Sequence, residues 1–222
     1  MRLAVVIPAY QAATTIRDAV VHTRAAVPEA SVIVVDDGSS DGTGEQGRGT
    51  GAVVVTHPRN RGKGVALRSG IARACAAGAD VIVTLDADGQ HPPGLIPRLL
   101  QPISDAQADL VLGARARSAA MPLGRRLTNW ISAALASRIG GQDVRDAQTG
   151  FRAFTRAVAE RLKPAGDRYE YEANFLLDAL RAGFRVTSVE VPTVYGPRSH
   201  FRSWSDTWRM ARAFARQMRL RD

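Results

Sequence analysis

Four short runs of mostly β-branched residues, each apolar at nearly every position and each ending in a polar turn, constrain the fold of this chain more than any other feature. They are Leu3–Ile7, Ser31–Val35, Ala52–Thr56 and Val81–Leu85. A strand such as Val32-Ile33-Val34-Val35 or Val81-Ile82-Val83 has no polar face. It must be covered on both sides, which is the situation of a parallel strand in an open α/β sheet. Helical spacing over Thr14–Ala26 and Lys63–Ala76 supplies crossovers between the runs. The expected architecture is therefore α/β and Rossmann-like, a mostly parallel central sheet with helices on both faces. After a strand at Asp109–Gly113 the rhythm changes. A basic helical stretch (Leu123–Ile139) is followed by Phe151–Phe154, a helix around Ala173–Ala182 and a last strand at Arg185–Val191.

The 222 residues fit a single domain over 1–222, large enough to bury a core without covalent staples. Cys75 is the one cysteine, so neither a disulfide framework nor a cysteine metal site is available and a reducing cytosol is expected. The apolar start, ending at Pro8, is too short for a signal peptide. Trp130–Ile139 falls well short of the ~20 residues that a membrane span needs. The net charge is +9, and because Lys63 and Lys163 are the only lysines among 30 basic residues, 28 are arginines. Arginine matches phosphate bidentately, so anionic partners are expected.

Open parallel sheets bind ligands beyond the carboxyl ends of their strands. Three such ends carry polar groups: Pro8-Ala9-Tyr10, Asp36-Asp37-Gly38-Ser39-Ser40-Asp41-Gly42-Thr43, and Asp86-Ala87-Asp88-Gly89-Gln90-His91-Pro92-Pro93. Asp86, Asp88 and Gln90 offer hard oxygens to a divalent cation whose shell substrate phosphates complete. The same residues also suit a turn and a helix cap before Pro92. Asp36 and Asp37 read either as turn formers or as binders of base and ribose hydroxyls. Gly47, Gly49 and Gly51 read as a loop. Arg61-Gly62-Lys63-Gly64 lacks the Lys-Ser/Thr ending of a phosphate loop.

Taken together, Val6-Ile7-Pro8-Ala9-Tyr10, Val34-Val35-Asp36-Asp37-Gly38-Ser39-Ser40-Asp41-Gly42-Thr43, Asn60-Arg61-Gly62-Lys63-Gly64 and Leu85-Asp86-Ala87-Asp88-Gly89-Gln90-His91-Pro92-Pro93 resemble the pattern of glycosyltransferase family 2. The resemblance implies a GT-A fold, a nucleotide-sugar and metal-binding half at 1–113 and an acceptor half at 114–202. It implies nucleotide-sugar contacts from Pro8, Ala9, Tyr10, Asp36, Asp37, Lys63, Asp86, Ala87 and Asp88. Mg²⁺ or Mn²⁺ would be held by Asp86, Asp88 and Gln90, and Asp88, Arg115 and Glu172 are the catalytic candidates. Gly113-Ala114-Arg115, Asp146-Ala147-Gln148-Thr149-Gly150-Phe151-Arg152, Tyr171-Glu172-Ala173-Asn174 and Val194-Tyr195-Gly196 are similar to the polyprenyl-phosphate sugar transferases of the dolichol-phosphate mannosyltransferase type. On that likeness Arg115, Arg125, Arg126, Arg152 and Arg202 face the acceptor phosphate. The chain departs from the pattern in Gln11-Ala12, where Asn-Glu is common, and in lacking a lysine after Tyr195-Gly196, for which Arg202 stands in.

A hydroxyl acceptor needs a general base, whereas a phosphate monoester is already anionic. Glu170 and Glu172 are the candidate bases, with a cap or salt bridge as the alternative for either. The cluster Arg115, Arg117, Arg125 and Arg126 favours a phosphate acceptor over a glycan or soluble hydroxyl. Residues 203–222 form a basic amphipathic pattern, with Trp204, Trp208, Ala211, Ala215 and Met218 at helical spacing. That pattern suits an interfacial helix on anionic lipid, or packing against the domain or a second copy. The expected reaction is inverting transfer from a GDP- or UDP-linked sugar to a polyprenyl phosphate, by a cytoplasmic protein held peripherally at the inner membrane face. A homo-oligomer or a separate membrane-embedded partner is compatible with it. A nucleic-acid-binding domain would account for the charge, but not for the strand-end motifs nor for 6% aromatic residues without a stacking platform.

Overall fold

A computed structural model describes residues 1–115 and 123–192, with side chains throughout except at 115 and 123–131. The strands are β1 (Leu3–Ala9), β2 (Ser31–Asp36), β3 (Val53–Thr56), β4 (Val81–Thr84), β5 (Leu110–Arg115), β6 (Arg152–Thr155) and β7 (Val186–Val191). The helices are α1 (Ile16–Ala26), α2 (Thr43–Arg48), α3 (Lys63–Ala76), α4 (Ile96–Ser104), α5 (Leu123–Gly140), α6 (Arg156–Arg161) and α7 (Glu170–Arg181). The sheet runs β3-β2-β1-β4-β6-β5-β7, and β6 alone is antiparallel to its neighbours. The sheet is mostly parallel with helices on both faces, as expected.

The uniformly apolar strands are explained by the two layers of helix. Alternate residues of β1 divide between two clusters. Ala4 and Val6 pack with Leu67 and Ile71 of α3 and Leu176 of α7, while Val5 and Ile7 pack with Ile16 and Val20 of α1 and Ile96 and Leu99 of α4. A side-chain period of two with helices on both faces puts both sides of β1 into the core, so successive residues there are apolar. The first cluster joins β1 and β2 to Phe154 of β6 and Val186 of β7, so the core runs across both halves of the sheet.

Pro8 lies inside β1 rather than ending it. Val6 accepts from Leu85 N–H, and β4 is paired with β1 only as far as Val6↔Thr84. Two residues on, Pro8 faces the same edge beyond the end of β4, where its missing N–H leaves no ladder bond unmade. The glycine-rich stretch expected to be a loop is helical at its start, since α2 includes Gly44 and Gly47. A Cβ on Gly47 would lie 3.3 Å from Val54 Cγ2, so the short helix sits against β3 by having no side chain there. Among the described residues no helix is long and apolar enough to cross a membrane.

Candidate active site

Strand order reverses around β1: β2 and β3 lie on one side of it and β4 on the other. The ends of β1 and β2 are in register, Ala9 opposite Asp36, and β4 ends beside them. A crevice at such a point takes ligands, and the three polar motifs meet there.

The β4 exit carries Asp86 and Asp88. Thr84 donates through Oγ1 to the Gly150 carbonyl at 2.8 Å, which brings the 146–151 loop across the strand end. Gly150 has to be glycine for this approach, because a Cβ there would lie 2.5 Å from Asp86 Oδ2. Lys63, the first residue of α3, places its Nζ 2.7 Å from Asp86 Oδ1 and 3.1 Å from Glu172 Oε1. Burial alone would lower this lysine's pKa, but the two carboxylates outweigh it and hold the ammonium far above the usual lysine range. Burial pushes Glu172 up, and the charge of Asp86 adds to this, while Lys63 and Arg152 oppose it. Asp88 is also raised, by burial and by the Asp86 charge, although its residue reaches solvent; its Oδ1 accepts from Gln90 N–H at 3.0 Å. Ala87 is buried between them.

Arg152 differs from its expected place against an acceptor phosphate. It is buried, and its guanidinium donates to the carbonyls of Thr149 (2.8 Å), Glu172 (2.7 Å) and Ala147 (3.2 Å). The fork fastens the 146–151 loop to the first turn of α7, so Arg152 frames the site from behind. Its burial lowers the guanidinium pKa, with Glu172 and Asp146 opposing.

The β2 exit divides between its two aspartates. Asp36 accepts from Ser39 N–H at 3.0 Å. Asp37, 2% exposed, is committed to the protein: it accepts from the N–H groups of Arg61 (3.0 Å) and Gly62 (2.8 Å) and meets His57 Nδ1 at 2.6 Å. His57 in turn meets Ser69 Oγ at 3.0 Å. Asp37 therefore positions the turn before Lys63, a role that turn chemistry in the sequence could not separate from ribose binding. Nothing in the sequence marked His57 or Ser69, since a lone histidine after a strand has no pattern.

Tyr10 is 44% exposed at the β1 end. Gln11 follows at φ 51°, its amide bonded at both ends to Ser40 and its backbone N–H to Ser39 Oγ. The first N–H groups of α3 donate to the Asp167 carbonyl, from Gly64 at 2.8 Å, so the Gly-Lys-Gly turn is capped by the chain itself. Glu170 Oε1 accepts from the N–H groups of Asp167 and Arg168. Arg115 ends β5 and Arg125 and Arg126 lie on α5, all three in backbone only; Arg202 and the 203–222 tail lie outside the described residues.

No group of three or more histidine, cysteine, aspartate or glutamate side chains converges among the described residues. Asp86 and Asp88 nevertheless fit a divalent cation of the Mg²⁺ type, which takes one or two carboxylates and keeps places for phosphate and water. The Asp86 charge that pushes Asp88 upward is the excess negative charge that such an ion would neutralise.

Residues 4–163 match the model of glycosyl transferase family 2. The chain is 30% identical over 215 residues to the UDP-N-acetylglucosamine–dolichyl-phosphate N-acetylglucosaminyltransferase of Methanococcus voltae, covering 86% of this chain and 84% of the relative. It is 32% identical over 212 residues to the undecaprenyl-phosphate mannosyltransferase of Micrococcus luteus, covering 89% and 85%. Among solved structures, glucosyl-3-phosphoglycerate synthase of Mycobacterium tuberculosis, in complex with Mn²⁺, UDP and phosphoglyceric acid, superposes with a TM-score of 0.79 at 24% identity over 97% of this chain and 78% of that one, a likeness of fold. By the family match and by the extent of these relatives, the chain belongs to glycosyl transferase family 2.

Proposed function

We propose that this glycosyltransferase moves a sugar from a nucleoside-diphosphate sugar to the phosphate of a polyprenyl phosphate at the cytoplasmic face of a membrane, with inversion at the anomeric carbon. The observation that carries the acceptor class is the state of Glu172. Its carboxylate is buried and lies 3.1 Å from the Lys63 ammonium, so it is engaged in an ion pair rather than poised to take a proton from a hydroxyl. Glu170 Oε1 accepts from two backbone N–H groups, and its Oε2 is buried away from solvent without a hydrogen-bond partner among the described residues. A phosphate acceptor needs neither as a base. The names of the Methanococcus and Micrococcus relatives, both transferases to polyprenyl phosphates, support the same class.

In this reading the ends of β1 and β2 receive the nucleoside through Pro8, Ala9, Tyr10 and Asp36, and Asp86 and Asp88 hold Mg²⁺ or Mn²⁺. The cation supplies charge neutralisation at the diphosphate. An acceptor phosphate oxygen attacks the anomeric carbon from the face opposite the diphosphate, the new C–O bond forms as the bond to the diphosphate breaks, and the nucleoside diphosphate leaves with its electron pair. Arg115, Arg125 and Arg126 are the arginines assigned to the acceptor phosphate.

A donor panel incubated with Mg²⁺ or Mn²⁺, with and without undecaprenyl phosphate, and extracted into organic solvent tests the reaction. Labelled sugar in the organic phase is expected for one donor. Donor turnover that yields product only with hydroxyl acceptors would overturn the lipid-phosphate assignment.

A further inference from the structure

Lys63 stands between two carboxylates from different parts of the fold, Asp86 at the end of β4 and Glu172 in the first turn of α7. Its backbone is fixed, because the α3 N-terminus is fastened by the Asp167 carbonyl to the N–H groups of Gly64 and Val65. Its ammonium also lies 5.6 Å from the centroid of the Tyr169 ring. An ammonium offers three donors on a flexible stem, so it can redistribute them between two acceptors already in reach without backbone movement.

Glu172 depends on this lysine. Arg152 is the other cation beside it, but its guanidinium donates to the carbonyls of Thr149, Ala147 and Glu172 and not to the carboxylate. Asp86 is the residue that Lys63 and a divalent ion would share. Two like charges cannot sit on one carboxylate oxygen at contact distance without strong repulsion. Resting on the metal reading above, we infer that Lys63 is a tethered counter-cation: it neutralises Asp86 before a divalent ion binds and passes to Glu172 when the ion takes Asp86. Glu172 is then a positioning residue that acts on the metal through Lys63, which ties α7 to the donor site.

The test uses the full chain as wild type, Lys63→Met, Glu172→Gln and the double variant. Mn²⁺ binding is followed by the electron-paramagnetic signal of the free ion, with and without inorganic pyrophosphate, and thermal melting is followed with and without Mn²⁺. Lys63→Met is expected to melt lower without metal, to bind Mn²⁺ about tenfold more tightly once the competing charge is gone, and to show a larger Mn²⁺-induced rise in Tm. Glu172→Gln is expected to weaken Mn²⁺ about fivefold while Lys63 is present and to have little effect in the Lys63→Met background. Should Lys63→Met fail to fold, Lys63→Gln gives the same comparison without the charge.

Equal weakening by Glu172→Gln in both backgrounds overturns the inference, since the carboxylate would then act on the ion directly. Melting temperatures lowered alike with and without Mn²⁺, at unchanged affinity, reduce the pair to a structural bridge and overturn it as well. A wild-type chain that binds no Mn²⁺ removes both the inference and the metal assignment. No acceptor is present, so the outcome is independent of whether the acceptor is a lipid phosphate.

Discussion

Among single residues, the two carboxylates at the β4 exit show how function is set against stability. Asp88 is raised by burial and by the Asp86 charge, so the pair is better tolerated with one charge than with two. With Asp88 as the metal ligand proposed above, Asp88→Asn is expected to lower donor turnover by about a hundredfold or more. Its residue reaches solvent, which screens the repulsion, so Tm should stay within about 2 °C of wild type. Activity assays beside melting curves check both halves, and a parallel fall in Tm would make Asp88 a structural residue. Tyr171 offers a case governed by burial alone at first order. Desolvation pushes its hydroxyl up to about 12, against the weaker pull of Arg68 and Arg152. The folded state therefore keeps a proton that an unfolded tyrosine gives up near pH ~10, and stability is complete below that value and declines as pH rises to about 12. Tyr171→Phe should remove about 2 kcal/mol of that alkaline loss, read as a smaller difference between urea midpoints at pH 9 and pH 12. Residue types were legible in the sequence here, but partners were not. Asp36 and Asp37 look equivalent as letters, and only the fold turns Asp37 toward the Arg61 and Gly62 N–H groups. Arg152 looks like its fellow arginines until the 146–151 loop closes over it.

At the scale of elements, the strands and the long helices were readable because both faces of the sheet are covered and apolar runs announce themselves. The short helices were not. Thr43–Arg48 has two glycines and no apolar stripe, and Ile96–Ser104, although Ile96, Leu99 and Ile103 stand at helical spacing, carries Pro97 and Pro102, which read as breakers in so short a run. The antiparallel direction of β6 also has no local signature, since Arg152–Thr155 would pair either way. The contact between the α3 N-terminus and the 163–169 loop is the element-level feature most open to a single substitution. Gly62 has φ 100°, and a Cβ on it would lie 2.3 Å from the Asp167 carbonyl oxygen. Backbone, not a flexible side chain, would have to move, and the same carbonyl caps Gly64 and Val65. Gly62→Ala should cost about 2–4 kcal/mol in chemical denaturation. It should also displace Lys63 enough to reduce donor turnover, whereas Gly94→Ala, where a Cβ meets nothing within 4 Å, should do neither.

Over the whole molecule, charge and core are distributed differently. The core is continuous from β1 to β7, whereas the excess of basic residues gathers at the C-terminal end. From Arg198 to Asp222 there are 7 arginines and 2 aspartates, a surplus of 5 out of the chain's net +9. Trp204 and Trp208 share the apolar side of the helical pattern with Met218, and tryptophan beside arginine suits the headgroup layer. Near an anionic surface each arginine contributes on the order of 1 kcal/mol, an attraction that falls off within a Debye length and weakens as salt rises. A polyprenyl phosphate remains in its bilayer, so an enzyme acting on it gains by residing at that surface. Removing residues 203–222 should therefore abolish sedimentation with phosphatidylglycerol vesicles and cut turnover of membrane-embedded polyprenyl phosphate. It should spare turnover of a short-chain, water-soluble analogue, because Asp86, Asp88 and Lys63 all lie far earlier in the chain. Intact binding of full-length protein should weaken steeply between low and high salt, while the truncated chain shows no salt dependence. Equal vesicle binding by the two forms would mean that the tail packs against protein, and that the membrane is reached by another surface.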